Sequence, residues 1–242
     1  MSGSGTLVAI DGVRGILTGR HVVEKWRNSK PKDQRPKRLG IIPGKRASSL
    51  VEEPLEHFDS TVLGPGQSNE LGPDLAFVRI PSPSDFLSEL LAKKSFCDLT
   101  GPTVKNHLIV VTRSSPIAAC GVVAEKTAKS GNRTTVNQYV IFGTEPQVFE
   151  RDEYDYIDLR SRRSLEPKTP SSFGGVSGSG LWRFSIARIA EGQVKPYDFQ
   201  VAGVAFYQLP DSDDGVATIR FHGPISIYEK LLPKVRDWVR GE

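Results

Sequence analysis

Apolar residues recur along this chain at two spacings, and most of the chain follows the shorter one. Gly5 to Ile10 and Val13 to Thr18 are apolar runs separated by Asp11-Gly12, which predicts a β-hairpin. Further strands are predicted at Arg38–Ile42, His57–Leu63, Asn106–Thr112, Tyr154–Leu159 and Gln200–Tyr207. Cys120–Glu125 and Gln138–Gly143 flank Lys129-Ser130-Gly131-Asn132 and read as a long hairpin. The helical spacing of three and four occurs in a few places. It marks Ser84–Leu91, with Ser82 or Ser84 as its N-cap, and Ile225–Arg240, with Leu231, Leu232, Val235 and Val239 on one face. The pattern is therefore all-β with a C-terminal amphipathic helix. No repeats or low-complexity tracts interrupt it.

Three short segments change the picture from fold to chemistry. Gly174-Gly175-Val176-Ser177-Gly178-Ser179-Gly180 can curl tightly around one hydroxyl, because glycine reaches positive φ without a Cβ penalty and leaves its N–H free. Such a run alone is often a plain loop. Ile16-Leu17-Thr18-Gly19-Arg20-His21-Val22-Val23 supplies an imidazole, and Asp74-Leu75-Ala76-Phe77-Val78 supplies a carboxylate after the Pro- and Gly-rich stretch 64–73. A serine hydroxyl is a poor nucleophile at neutral pH and needs a base within about 3 Å. That base in turn needs a buried carboxylate to fix its tautomer and stabilise the imidazolium.

The order His21, Asp74, Ser177 and the wording of the three blocks resemble the chymotrypsin/trypsin-like serine peptidase family over nearly the whole chain. The resemblance implies two packed six-stranded antiparallel β-barrels with the active site between them. It divides the chain into residues 1–82 (His21 and Asp74), a helix and linker at 83–105, and residues 106–242 (Ser177 and the C-terminal helix). It implies a serine endopeptidase with His21 as general base, Asp74 as its partner and Ser177 as nucleophile. The N–H groups of Gly175 and Ser177 would form the oxyanion hole. Ser171, six residues before the nucleophile, would lie at the floor of the primary pocket. A neutral residue there argues against Lys or Arg as the preferred side chain. Phe206, Tyr207 and Gln208 would form the strand edge that pairs with a peptide.

The sequence departs from the family pattern in places. Val176 stands where an Asp usually pairs with a newly made N-terminus, so this chain folds active or is activated by another contact. Ser179 and Gly180 stand where Gly and Pro are usual. Ser179 is the rival nucleophile, and Ser177 is preferred because Gly175 lies two residues before it. The family places one more strand ahead of the first hairpin, so a barrel here must close by another route, or the chain is part of something longer. These departures motivate a second reading, a catalytically silent module acting in binding or as an effector.

Composition narrows the setting. A chain of 242 residues with two cysteines, Cys97 and Cys120, has no disulfide framework and no metal-ligand spacing, so a reducing, cytoplasmic compartment is expected. Met1 to Arg20 has neither a basic n-region nor an apolar h-region, and no membrane span is expected. The net charge of +4 is concentrated: Lys25–Arg46 carries nine basic residues against Asp33. This segment reads first as a solvated loop and second as a docking patch for an acidic partner. Trp26 is its only aromatic residue, so no nucleic-acid module is expected.

The remaining candidates take ordinary readings. His57, His107 and His222 are read as surface or satisfied core histidines, and Cys120, between apolar neighbours, as buried filler. Asp152, Glu153, Asp155 and Asp158 are read as a solvated face without metal or cofactor. Trp26, Trp182 and Trp238 are read as packing residues. An α/β-hydrolase elbow is set aside, because Ser179 occupies its final Gly position and βαβ units are lacking.

Overall fold

A computed structural model of the chain describes residues 3–28, 38–41, 51–64, 71–101, 116–130, 133–135, 138–142, 146–162, 170, 172–190, 193–210 and 215–241. Ser171, the strand expected at Asn106–Thr112, His107 and most of the basic segment after Asn28 lie outside these residues.

Strands β1 (Thr6–Ile10) and β2 (Val13–Thr18) pair antiparallel from Thr6↔Leu17 to Ile10↔Val13. Asp11 and Gly12 both sit at positive φ, 47° and 87°, as a two-residue hairpin turn with the twist of its strands requires. Helix α1 (Arg20–Asn28) follows directly. β3 (Arg38–Ile41) and β4 (Val51–Pro54) form a separate ribbon. β5 (Asp59–Leu63), β6 (Leu75–Arg79) and the short β7 (Cys97–Asp98) complete a five-stranded sheet in the order β5-β6-β2-β1-β7, in which only β7 pairs parallel.

Both faces of that sheet are covered, so β6 is an unbroken apolar run. Ala76 and Val78 face helices α1 and α2 (Asp85–Leu91), while Leu75 and Phe77 face β15 and the C-terminal helix. Ser84 is the N-cap of α2: its hydroxyl accepts from the Leu87 N–H at 3.1 Å.

The second sheet has the order β11-β8-β14-β15-β16-β13-β12. Its strands are β8 (Ile117–Val122), β11 (Gln138–Phe142), β12 (Gln147–Arg151), β13 (Tyr154–Arg162), β14 (Gly180–Ala190), β15 (Gln193–Gln208) and β16 (Val216–His222). β9 (Ala128–Ser130) and β10 (Arg133–Thr135) pair between β8 and β11 in sequence. Among the described residues neither sheet closes on itself. The protein is mostly β, built on sheets of five and seven strands, and ends in a helix. That helix is π-wound over Ile225–Leu231 and continues as α3 (Leu232–Arg240). No described helix is long and apolar enough to cross a membrane.

Two sequence readings need correction. Asp155 and Asp158 are not a solvated face. Asp155 caps the C-terminal helix, accepting from the N–H groups of Ile225 (3.0 Å) and Ser226 (2.7 Å). Asp158 is locked in a buried two-pronged ion pair with Arg220, both contacts 2.7 Å. Only Asp152 and Glu153, at the β12–β13 turn, are exposed. Cys120 is exposed, because on β8 it is Ile117, Ala119 and Gly121 that turn inward. Among the described residues no cluster of His, Cys, Asp and Glu could hold a metal.

Candidate active site

The first part of the site is built where β2 runs into α1 and β6 begins. His21 lies in the first turn of α1, whose early N–H groups have no partner within the helix. The carboxylate of Asp74 fills that need. Its Oδ1 accepts the His21 backbone N–H at 2.8 Å, and its Oδ2 accepts the proton on His21 Nδ1 in a short contact. The helix N-terminus also favours a negative charge there. Asp74 is 2% exposed, while the His21 ring keeps about a quarter of its surface open. With Nδ1 committed as donor, Nε2 is the basic nitrogen.

The second half of the molecule supports Asp74 from behind. His222, at the end of β16, is 0% exposed, and its Nε2 accepts the Asp74 backbone N–H at 3.0 Å. Its ring stacks on Phe206 at 4.1 Å between centroids. Burial lowers the His222 pKa to about 3, against a smaller opposite effect from the Asp74 charge, so the ring is neutral. Tyr156, also from the second sheet, donates its hydroxyl to the Leu71 carbonyl at 2.8 Å and so anchors the approach to Asp74. Burial raises the Tyr156 pKa, so this phenol stays a donor.

The serine turn follows the arm Ser172–Gly174. Gln208 Oε1 accepts the Phe173 N–H at 2.9 Å, and Glu125 accepts the Ser172 N–H at 2.9 Å. Within the turn the Val176 N–H donates to the Phe173 carbonyl (3.0 Å), Gly178 to Ala205 (2.7 Å) and Ser179 to Val176 (2.8 Å). Gly175 and Ser177 alternate with these residues, and their N–H groups donate to none of the described residues. Gly175 and Gly178 lie at φ 94° and 92°. A Cβ on Gly178 would sit 2.0 Å from the Ser4 carbonyl oxygen and 2.1 Å from the Thr18 hydroxyl, so glycine alone fits. Val176 points into the core of the second sheet.

The structure thus joins two of the three expected catalytic side chains directly. It seats the third on a turn packed against Thr18, three residues before His21. Among the described residues no hydrogen bond links His21 to the Ser177 hydroxyl. Ser177 is half-buried and reachable, whereas Ser179 is 1% exposed with its hydroxyl unpartnered inside the protein. β14 pairs with β15 only up to Gly180↔Val204. Beyond it, Tyr207 and Gln208 pair on one side with β16, Phe206 forms a bulge between Ala205 and Tyr207, and the three meet no described strand on the other side. The Phe206 side chain is 2% exposed against His222 and Tyr156, so only its backbone is on offer to a peptide.

Sequence reasoning missed His222, Tyr156 and Ser4, whose contacts with the site span 148, 85 and 171 residues. The available signal for His222 was its direct flanking by the uncharged Phe221 and Gly223. Compared with known proteins, the chain matches no family model and no curated protein.

Proposed function

We propose that the chain is a serine endopeptidase of the chymotrypsin/trypsin-like kind, acting on protein or peptide substrates without cofactor or metal. The observation that carries this reading is the buried Asp74 carboxylate gripping both the backbone and the ring of His21. A carboxylate held this way at a helix start fixes the imidazole with Nε2 outward, as a general base requires. The N–H groups of Gly175 and Ser177, which donate to none of the described residues, support the assignment of an oxyanion hole.

In this mechanism His21 Nε2 takes the proton of the Ser177 hydroxyl as its oxygen adds to the scissile carbonyl. The resulting oxyanion is held by the two free amides, and Asp74 stabilises the imidazolium. Collapse breaks the C–N bond, and His21 returns the proton to the departing amine, leaving an acyl-Ser177. Water then repeats the sequence and releases the acid. The His21–Ser177 bond forms in the Michaelis complex, as such contacts often tighten only when substrate is bound.

The finer fold belongs to the same proposal. The two sheets are read as parts of two six-stranded barrels, one carrying His21 and Asp74, the other opening at Ser177, with the cleft between them. Cys97 and Cys120 form no disulfide, which supports a cytoplasmic setting. The segment 25–46 is proposed as a docking patch for an acidic partner on its charge alone.

The missing His21–Ser177 contact favours one alternative, a catalytically silent module that binds peptides along Phe206–Gln208. A fluorophosphonate probe separates the two readings. Labelling of the wild type at Ser177, abolished in Ser177→Ala with the fold retained, is the expected result. A folded wild type that never labels would leave the binding module.

A further inference from the structure

Ser4 lies just ahead of β1 and spends every polar group it has on bridging the two parts of the site. Its N–H donates to the Ser177 carbonyl at 3.1 Å. Its hydroxyl donates to the Gly175 carbonyl at 2.7 Å and accepts the Val122 N–H at 3.0 Å. Its own carbonyl accepts the Thr18 hydroxyl at 2.8 Å.

Four successive carbonyls of the serine turn are pinned, two of them by Ser4. Gly174 is held by the Ala124 N–H at 2.7 Å and Val176 by the Ser179 N–H at 2.8 Å; Gly175 and Ser177 are held by Ser4. A peptide unit is planar, so its C=O and the next N–H rotate together. The bonds to the Gly174 and Val176 carbonyls therefore orient the N–H groups of Gly175 and Ser177. Ser4 fixes the peptide planes that alternate with these, closing off the neighbouring dihedrals through which the turn could flip.

We infer that Ser4 is a positioning residue for the oxyanion turn, coupling it through Thr18 to the strand that delivers His21. This rests on the serine peptidase reading above. The lock is made of neutral hydrogen bonds.

Two variants test it, Ser4→Ala and the volume-conserving Thr18→Val. The rate of Ser177 labelling by a fluorophosphonate is read beside hydrogen exchange of peptides covering 173–181 and 75–79. Ser4→Ala is expected to label at least tenfold more slowly and to exchange faster across the turn, with β6 still protected; Thr18→Val should move both in the same direction by less. A purely structural role would raise exchange in both peptides together. Unchanged labelling and turn exchange in a folded Ser4→Ala overturns the inference while leaving the peptidase reading intact. If Ser4→Ala does not fold, Thr18→Val alone decides by the same criteria, and loss of folding in both would assign Ser4 to stability and overturn the inference. A wild type that never labels removes the peptidase reading and this inference with it.

Discussion

Asp74 holds His21 at two points at once, through Oδ1 on the backbone N–H at 2.8 Å and through Oδ2 on Nδ1 of the ring. The helix start and the imidazole are thereby oriented by one buried group, so local folding and chemistry share a single constraint.

Asp74→Asn separates these two tasks. The amide oxygen can still accept the His21 N–H, but the NH2 group then faces Nδ1 and selects the tautomer with the proton on Nε2. Labelling or peptide hydrolysis should fall by about 10⁴-fold while the fold is kept. A folded Asp74→Asn with near wild-type rates would show that the pair is structural.

The elements that could be read from the sequence are those fixed by neighbours along the chain. Asp11-Gly12 encodes its hairpin, Ser84 caps α2, and the three motif blocks fall where local pattern places them. What could not be read depends on partners far away in sequence. Asp155 and Asp158 look like part of a charge run until Ser226 and Arg220 arrive across β13 and β16 to make burial tolerable. β15 extends back to Gln193, beyond the strand read at Gln200–Tyr207, because pairing with β14 overrides the polar composition and Pro196 of its first half. Cys120 illustrates the opposite case: its face is decided by strand parity, which a short apolar run does not reveal.

His222 makes stability depend on pH. Its pKa is near 3 in the folded protein and 6.5 when unfolded, so the unfolded chain binds more protons between those values. The stabilisation is fully present above about pH 6.5 and is lost as pH falls toward 3, at a slope of at most about 1.4 kcal/mol per pH unit. His222→Gln, which keeps an acceptor for the Asp74 N–H, should flatten this loss. Urea unfolding at pH 7.5 and 4.5 checks it, and equal losses in both proteins would contradict the assignment.

Ser179 provides a control inside the same turn. Its hydroxyl is buried and unpartnered, so Ser179→Ala removes a desolvated polar group and leaves Ser177 untouched. Stability should stay level or rise by about 1 kcal/mol, and the labelling rate should hold within about twofold. Loss of labelling in this variant would mark Ser179 as the reactive serine.

Gly178→Ala strikes the turn from the other direction. The new methyl would have to displace backbone at Ser4 and the Thr18 hydroxyl in a conformation already at φ 92°. Gly12, at φ 87° with nothing within 4 Å of an added Cβ, carries the backbone strain without the collision. Gly12→Ala should therefore cost about 1 kcal/mol and leave labelling intact. Gly178→Ala should cost at least about 3 kcal/mol and abolish labelling, since the displaced turn carries Ser177 with it. Denaturant unfolding of the two variants side by side measures the difference, and similar costs would mean that the turn is not wedged between Ser4 and Thr18.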